Sequence, residues 1–449
     1  MSIFGTRIQA AIAGAVALLA ALAAAQAPAQ SLIRDAEIER TLANLASPIL
    51  QAGGLSTATV DLYIVNDRQL QAFVAGGNNI FMHTGLLQRL DTPDQVRAVL
   101  AHEAGHINGG HLARRNDEIR AARGTTALGI LLALGAAVAG NPDAAIAASG
   151  VSGQVALRNL LRHSRAEEAA ADQAGLSYMV NAGADPRAML EVMELFRNQL
   201  GGSGQFADPY VRTHPLWSER LRYIEDRVAN SPRGRGPSRE DVYWHARMVA
   251  KLDGFLGDPR RTLTKYRDDD TEVGELARAA AYHKMPDVDR ATAAIDRLVA
   301  ARPDDAFYHE LRGQILLEIG RAGPATESYR RAVALAPNEP LILSGLGRAL
   351  VAQDNANATR EALDVLTRAQ RIDRANPRAL RDLALVHGRL GQEGQAALAT
   401  AERMMLLGRV EDAGIHAARA ADQLPTGSPG WRRADDIVVA ARRAKKRGD

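Results

Sequence analysis

The fold of this chain depends on one stretch, which reads Thr92-Pro93-Asp94-Gln95-Val96-Arg97-Ala98-Val99-Leu100-Ala101-His102-Glu103-Ala104-Gly105-His106. Thr92 is suited to cap a helix, Pro93 to occupy its first position, and Gln95 to complete a capping box. Apolar residues then recur at helical spacing up to the first histidine. We therefore predict a helix that begins at Pro93 and carries both histidines.

The two histidines of this stretch, His102 and His106, are four residues apart, so both imidazoles project from one face of the helix. Two ring nitrogens on one face can bind a single Zn²⁺. Glu103 follows His102 directly, where its carboxylate lies near the metal and can take a proton from the attacking water. The spacing therefore predicts a metal centre with a base beside it.

A third ligand is needed, because a catalytic zinc site takes three protein ligands and leaves a position for water. His111 is one candidate, but the spacing H-E-x-x-H-x-x-G-x-x-H needs a histidine at the position of Leu112. On a continuing helix His111 points elsewhere, so a place on the helix surface or a contact with a ligand is the better interpretation. The stronger candidate is Glu168. Asp172, four residues on, can accept the far N–H of a ligand histidine, although a solvated acidic helix face is the alternative.

The composition is that of a globular protein: 449 residues, 46% hydrophobic and 24% charged, with a net charge of +3. So small a charge gives no case for nucleic-acid binding. The chain has no cysteine, which excludes disulfides, thiolate metal ligands and cysteine nucleophiles. Any metal site must therefore be built from histidines and carboxylates.

The N-terminus has the pattern of a cleavable secretory signal peptide. Arg7 is followed by the apolar stretch Ala10 to Ala25 and by small residues up to Ala29, which are the n-region, h-region and cleavage site of such a peptide. A single membrane anchor is the alternative. We predict that residues 1–29 are removed and that the protein acts in the periplasm.

A second apolar run covers residues 126–139 and is too short to span a bilayer. It is a buried helix in one interpretation. In the other it is a lid or a membrane-facing helix over the site, which would give peripheral membrane contact.

Three β-type runs, 60–65, 71–74 and 79–82, predict a small antiparallel sheet before the histidine helix, and a helical pattern covers residues 31 to about 53. Ser231 to Ser238 reads as a linker. After it the sequence repeats: Gly313, Gly320, Ala325, Tyr329, Ala332 and Pro337 have the spacing of a tetratricopeptide repeat. We therefore predict a domain at 30–230, a linker at 231–238 and an all-α repeat domain at 239–449.

These motifs together resemble a known family. His102-Glu103-x-x-His106, followed by Ser164-Arg165-x-x-Glu168-x-x-Ala171-Asp172, is similar to the gluzincin peptidases that include the HtpX and CAAX-prenyl-protease families. The exported form with C-terminal repeats resembles the BepA-type periplasmic peptidases. The resemblance implies an α+β zincin-like metalloprotease domain, mostly helical, followed by an all-α tetratricopeptide-repeat domain.

The resemblance also implies roles for individual residues. Glu168 would be the third ligand of one Zn²⁺ per chain, and Glu103 the general base. Arg165 and Asp172 belong to the same motif, and Arg220 is expected to pair with an acidic group near the site. His214 resembles a histidine that approaches the metal and keeps the enzyme latent; donation to the oxyanion and a structural role are the alternatives.

The expected reaction is hydrolysis of peptide bonds in a substrate that lies extended along the sheet edge. The resemblance implies that the clients are unfolded or stalled outer-membrane proteins and that the repeats bind these clients or the assembly machinery. Two rival hypotheses are a periplasmic chaperone or adaptor with a largely latent peptidase, and a membrane-embedded peptidase, which would need more apolar spans than this sequence contains.

Overall fold

The computed structural model describes residues 32–111, 165–200, 214 and 218–448. The predicted signal peptide (1–29) and the apolar run 126–139 lie outside the described residues. Of the helices in the described ranges, none is long and apolar enough to cross a bilayer.

A four-stranded sheet forms one side of the N-terminal domain. Its strands are β1 (Leu32–Ile33), β2 (Asp61–Val65), β3 (Ala72–Ala75) and β4 (Asn79–His83), in the order β1-β2-β4-β3. The three predicted strands are confirmed to within a residue at each end.

The sheet is mixed, whereas the sequence led us to expect an antiparallel one. β3 and β4 form an antiparallel hairpin whose turn contains Gly76 and Gly77, both with positive φ. β4, however, lies between β3 and β2 and runs parallel to β2. The reason is the order of the strands along the chain. After β2 the chain forms the edge strand β3 and then turns back, so that β4 lies between β3 and β2. β1 is the other difference, because these two residues pair with β2 instead of starting the predicted helix.

The helices of the N-terminal domain are packed against this sheet and against each other. They are α1 (Ala36–Ala52), α2 (Thr84–Leu87), α3 (Pro93–Asn108), α4 (Arg165–Asn181), α5 (Arg187–Leu200) and α6 (Ser218–Ala229). Leu42, Leu45 and Ile49 on one face of α1 enter the same apolar core as Ile80 and Leu100. This continuous core holds α3 rigidly beside the sheet.

The start of α3 follows the capping prediction with one change. The Thr92 hydroxyl accepts a hydrogen bond from the Gln95 backbone N–H at 3.2 Å. The Gln95 side chain accepts from the backbone N–H of Asp91 rather than of Thr92, at 2.6 Å. The helix therefore begins at Pro93, as predicted, with the reciprocal bond moved back by one residue.

The C-terminal part consists of helices joined by short turns. They are α7 (Arg239–Leu256), α8 (Pro259–Lys265), α9 (Glu272–Lys284), α10 (Val288–Ala301), α11 (Ala306–Glu318), α12 (Ala322–Leu335), α13 (Pro340–Ala352), α14 (Ala356–Ile372), α15 (Pro377–Arg389), α16 (Glu393–Leu406), α17 (Val410–Gln423) and α18 (Pro429–Gly448). From α9 onward consecutive helices pack as pairs, which confirms the repeat prediction.

The first predicted repeat shows why its small residues are needed. Gly320 has φ 81° at the turn between α11 and α12, where residues with a Cβ are strained. A Cβ on Gly313 would lie 2.7 Å from the ring of Tyr329. The glycine therefore lets the two helices of the pair approach closely.

The N-terminal domain and the repeats meet at α7, which contributes apolar and charged contacts. Met248 and Leu252 join the core of the N-terminal domain. Buried Arg247 contacts Glu37 of α1, at 2.5 Å. Lys251, also buried, lies 3.4 Å from the same Glu37 carboxylate. The division of the chain at 231–238 stays a prediction, since the first helix after it packs against both parts.

Candidate metal centre

The site begins with α3, which presents His102 and His106 on one buried face. The two Nε2 atoms are 3.1 Å apart, and the side chains are 2% and 1% exposed. At this distance both nitrogens point toward the same place, and a single proton can lie between them. A single cation at that place could accept a lone pair from each ring.

The second element of the site is α4, and two glycines decide how closely it packs on α3. A Cβ on Gly105 would lie 2.8 Å from the carbonyl oxygen of Ala171, and a Cβ on Gly175 would lie 3.2 Å from the backbone of His102. Contacts this short leave no room for a side chain. The close crossing brings the first turn of α4, which carries Glu168, over the histidine pair.

Glu168 and His214 complete a group of four possible ligands. Glu168 Oε2 lies 3.5 Å from His102 Nε2, and Oε1 lies 3.4 Å from His106 Nε2. His214 Nδ1 lies 2.9 Å from Glu168 Oε1 and 3.3 Å from His102 Nε2. One ligand atom from each residue falls within 4.8 Å of all the others.

This donor set fits zinc. Three imidazole nitrogens and a carboxylate oxygen are ligands that Zn²⁺ accepts, and four donors match its preferred coordination number. All four side chains are buried. A bound cation would therefore satisfy ligand atoms that have lost their hydrogen bonds to water.

Asp172 and Arg220 support the ligands from behind. Asp172 Oδ1 lies 2.9 Å from His102 Nδ1, the ring nitrogen that faces away from the cluster. Arg220 Nε donates to Asp172 Oδ2 at 2.7 Å, and Arg220 Nη1 lies 2.5 Å from Glu168 Oε2. The guanidinium therefore holds both carboxylates of α4 in one orientation.

The burial of these groups shifts their pKa values. Burial alone would lower the pKa of His102, but hydrogen bonds with Asp172 and Glu168 raise it to about 10. Burial would raise the pKa of Glu168, but His214 and Arg220 hold it well below its usual value. Glu168 is thus kept as a carboxylate, the form that binds cations.

Glu103 lies beside the cluster without joining it. Its side chain is fully buried, and neither of its oxygens accepts a hydrogen bond from the residues that the structure describes. The ring of His214 lies beside it, with Nε2 3.6 Å from Glu103 Oε1. Burial raises the pKa of Glu103, which suits a group that has to take up a proton.

Residues 32–228, which contain all of these side chains, match the model of Peptidase family M48. The N-terminal domain belongs to this family. The chain is therefore a metalloendopeptidase, and the cluster of His102, His106 and Glu168 is consistent with a metal site of the H-E-x-x-H type.

Two curated proteins show how far the similarity extends. The beta-barrel assembly-enhancing protease of Escherichia coli (strain K12) is 26% identical over 93% of this chain and 85% of its own length. The mitochondrial metalloendopeptidase OMA1 of Schizosaccharomyces pombe is 30% identical over 40% of this chain and 49% of its own length. The first similarity thus includes the repeats.

A solved tetratricopeptide-repeat protein, TTC0263 of Thermus thermophilus, is 21% identical, with a TM-score of 0.26 over 38% of this chain and all of that one. The repeat assignment rests instead on the helix pairs of the chain itself.

Of the two places that the sequence left open for His111, the helix surface and a contact with a ligand, the structure shows the second. The side chain is 3% exposed, and its Nδ1 lies 2.8 Å from His106 Nδ1. The helix ends at Asn108, and Gly110 has φ 61°, so the chain turns and His111 folds back onto the M48 site. The Gly109-Gly110 pair was the sequence signal for this turn.

One predicted residue lies away from the cluster. Arg165 is exposed at the first described position of α4 and is not one of the four clustered residues.

Proposed function

We propose that the protein is a zinc-dependent endopeptidase in which His102, His106 and Glu168 bind one Zn²⁺ and Glu103 is the general base. The convergence of these three donors within the buried cluster is the observation that carries the proposal. The carboxylate of Glu103, beside the cluster and without a hydrogen-bond donor in the described residues, is free to hold a proton.

Zinc in such a site supplies a Lewis acid that polarises a carbonyl and makes water a stronger nucleophile. Glu103 takes the proton from the attacking water and returns it to the leaving amine. Asp172 holds His102 in the tautomer that directs Nε2 at the metal, since its oxygen contacts Nδ1. Arg220 fixes Asp172 and Glu168 together.

The substrate is proposed to bind as an extended strand. β3 pairs only with β4 among the described strands and contacts α3, so its outer edge runs beside the site helix. Backbone groups on such an edge can pair with a peptide. In the proposed binding mode the scissile bond of an unfolded client would lie near His102 and Glu103.

His214 supports a resting state in which the site is closed. Its Nδ1 lies within 3.3 Å of ligand atoms on both His102 and Glu168. A fourth protein donor would occupy the position that a catalytic zinc keeps for water. We propose that His214 must leave before hydrolysis starts.

The client proteins and the compartment follow from the relatives and from the N-terminus. The chain is similar over most of its length to a protease named for enhancing beta-barrel assembly. Together with the predicted signal peptide, this supports action in the periplasm on misfolded or stalled outer-membrane proteins, with the repeats binding these clients or their assembly machinery.

The test compares the wild-type chain with Glu103→Gln and His214→Ala, using an unfolded outer-membrane β-barrel protein as substrate. Glu103→Gln is expected to keep its zinc and lose about 10²–10⁴-fold in cleavage rate, the usual contribution of a general base. His214→Ala is expected to cleave faster than the wild type. Cleavage by Glu103→Gln at the wild-type rate would refute the role of Glu103.

A second candidate function is a chaperone or adaptor with a largely latent peptidase, and the position of His214 favours it. It predicts that Glu103→Gln still prevents aggregation of the same β-barrel protein during dilution from urea. Equal aggregation with and without this variant would contradict the chaperone function and leave the peptidase proposal intact.

A further inference from the structure

The inner face of the repeat array carries a group of arginines. α13 contacts both α11 and α15, the first helices of the neighbouring pairs, and in helical repeat arrays such a layer of first helices lines the concave side. Arg348 lies on α13, and Arg378 and Arg381 lie on α15. We call these three residues the arginine face.

One buried carboxylate serves two of these arginines. Arg381 Nη2 lies 2.7 Å from Asp382 Oδ1, and Arg348 Nε lies 3.3 Å from Asp382 Oδ2. Asp382 has a side chain that is 5% exposed, so it is held in place. Both of its oxygens are occupied, so the guanidinium groups of Arg348 and Arg381 share this single aspartate.

Arg378 is the arginine of this face that has no acidic partner within the described residues. It lies three residues before Arg381, on the same side of α15, and it is exposed. Within the described residues its guanidinium has neither an ion pair nor a hydrogen bond. Partial burial and the positive charges of Arg348 and Arg381 lower its pKa.

The other charged groups around the arginine face already have partners. Arg34 contacts Glu39 and Asp373, at 2.7 and 2.8 Å. Glu318, whose charge also acts on Arg378, pairs with His283 at 2.7 Å. These acidic groups are therefore engaged, and the excess positive charge at Arg378 is left for an external anion.

An exposed leucine continues the same surface. Leu385 lies four residues after Arg381, so it faces the same way, and it is 46% exposed. A partner that satisfies both features has carboxylates next to an apolar side chain. A flat bilayer cannot reach a concave face, and a phosphate backbone would leave the leucine uncovered.

We propose that the arginine face binds an acidic peptide segment whose carboxylate pairs with Arg378 and whose neighbouring apolar side chain covers Leu385. Arg381 and Arg348, oriented by Asp382, add a second pairing position. The inference concerns binding by the repeats and stands apart from the peptidase reaction.

The experiment measures fluorescence anisotropy of a short labelled peptide that alternates glutamate and leucine. The full chain carries Glu103→Gln so that the probe stays intact. Arg378→Gln is expected to weaken binding about tenfold or more, as expected for loss of one charge-assisted hydrogen bond. The matched control is Arg360→Gln, on the second helix of a pair, whose guanidinium donates to Ala356 and Asn357 of its own helix; binding by this variant should stay within about twofold of the parent.

Removal of Arg378 leaves no described carboxylate unpaired, so the variant is expected to fold. Arg378→Lys keeps the charge and is expected to bind better than Arg378→Gln, which gives a second comparison. The proposal is overturned if Arg378→Gln binds like its parent, if a glutamine–leucine peptide binds equally well, or if phosphatidylglycerol vesicles bind in an Arg378-dependent way and the acidic peptide does not.

Discussion

The substitution Gly105→Ala tests whether close packing of α3 on α4 builds the metal centre. The new methyl group would lie 2.8 Å from the carbonyl oxygen of Ala171, and an ordinary contact requires about 0.6 Å of additional separation. The obstructing atoms all belong to the backbone of Ala171, so no side chain can turn away. Overpacking of this kind costs about 1–3 kcal/mol, less about 1 kcal/mol that alanine regains over glycine in a helix.

The effect on the site should exceed the effect on stability. A binding site tolerates displacements of its ligand side chains of about 0.5 Å. Glu168 moves with α4, whereas His102 and His106 move with α3. We expect about tenfold weaker zinc binding and a loss of up to about 2 kcal/mol in the free energy of unfolding. Competition with a chelating dye measures the first, and urea unfolding of the metal-free protein measures the second.

Gly388→Ala is the matched control, because this helix glycine of α15 has no atom within 4 Å of the position that a Cβ would take. It should leave zinc binding unchanged and stabilise the chain by up to about 1 kcal/mol. If Gly105→Ala behaves like Gly388→Ala in both measurements, the close crossing does not position the ligands and the reasoning is refuted.

Three further predictions concern groups around the site and the domain junction. Asp172→Asn should weaken zinc binding by about 10–100-fold while the protein stays folded, and unchanged affinity in the dye assay would contradict its positioning role. Lys251→Met should cost about 3–5 kcal/mol in urea unfolding, because it leaves the carboxylates of Asp35 and Glu37 without this buried cation; a loss below about 1 kcal/mol would contradict this. Burial raises the pKa of Glu310 to about 7, so its ionisation destabilises the fold, and the wild type should lose stability relative to Glu310→Gln as the pH rises from about 4.5 to 7. Parallel pH profiles of the two proteins would contradict the Glu310 prediction.

Local sequence rules were sufficient to predict the elements whose conformation depends on a few neighbouring residues. The start of α3 follows from Thr92 and Pro93, and the turn of the first repeat follows from Gly320, because a cap and a positive φ depend on a few neighbouring residues. The positions of His102, Glu103 and His106 on one helix follow in the same way.

Contacts between residues far apart in the chain could not be derived from the pattern. The parallel pairing of β2 with β4 places β4 between two strands that precede it in the chain, and no local pattern encodes that order. The contact of Arg247 with Glu37 joins residues that are 210 positions apart, and no periodicity encodes it. Glu168 became a candidate ligand through its spacing from Asp172 and through the family resemblance, while its approach to the histidines depends on Gly105 and Gly175.

His111 shows a pattern that left two interpretations open, a place on the helix surface and a contact with a ligand. The structure shows the second. The helix ends at Asn108, and the left-handed conformation of Gly110 brings His111 back against His106. Two adjacent glycines favour such a turn over a continuing helix.

Anomalous diffraction at the zinc edge from crystals of the wild-type protein tests the central claim most directly. The account predicts a single strong peak between His102 Nε2, His106 Nε2 and the Glu168 carboxylate, with His214 Nδ1 as the fourth donor in the resting state. A chain that binds zinc stoichiometrically but shows its peak elsewhere, with these three side chains unligated, would contradict it.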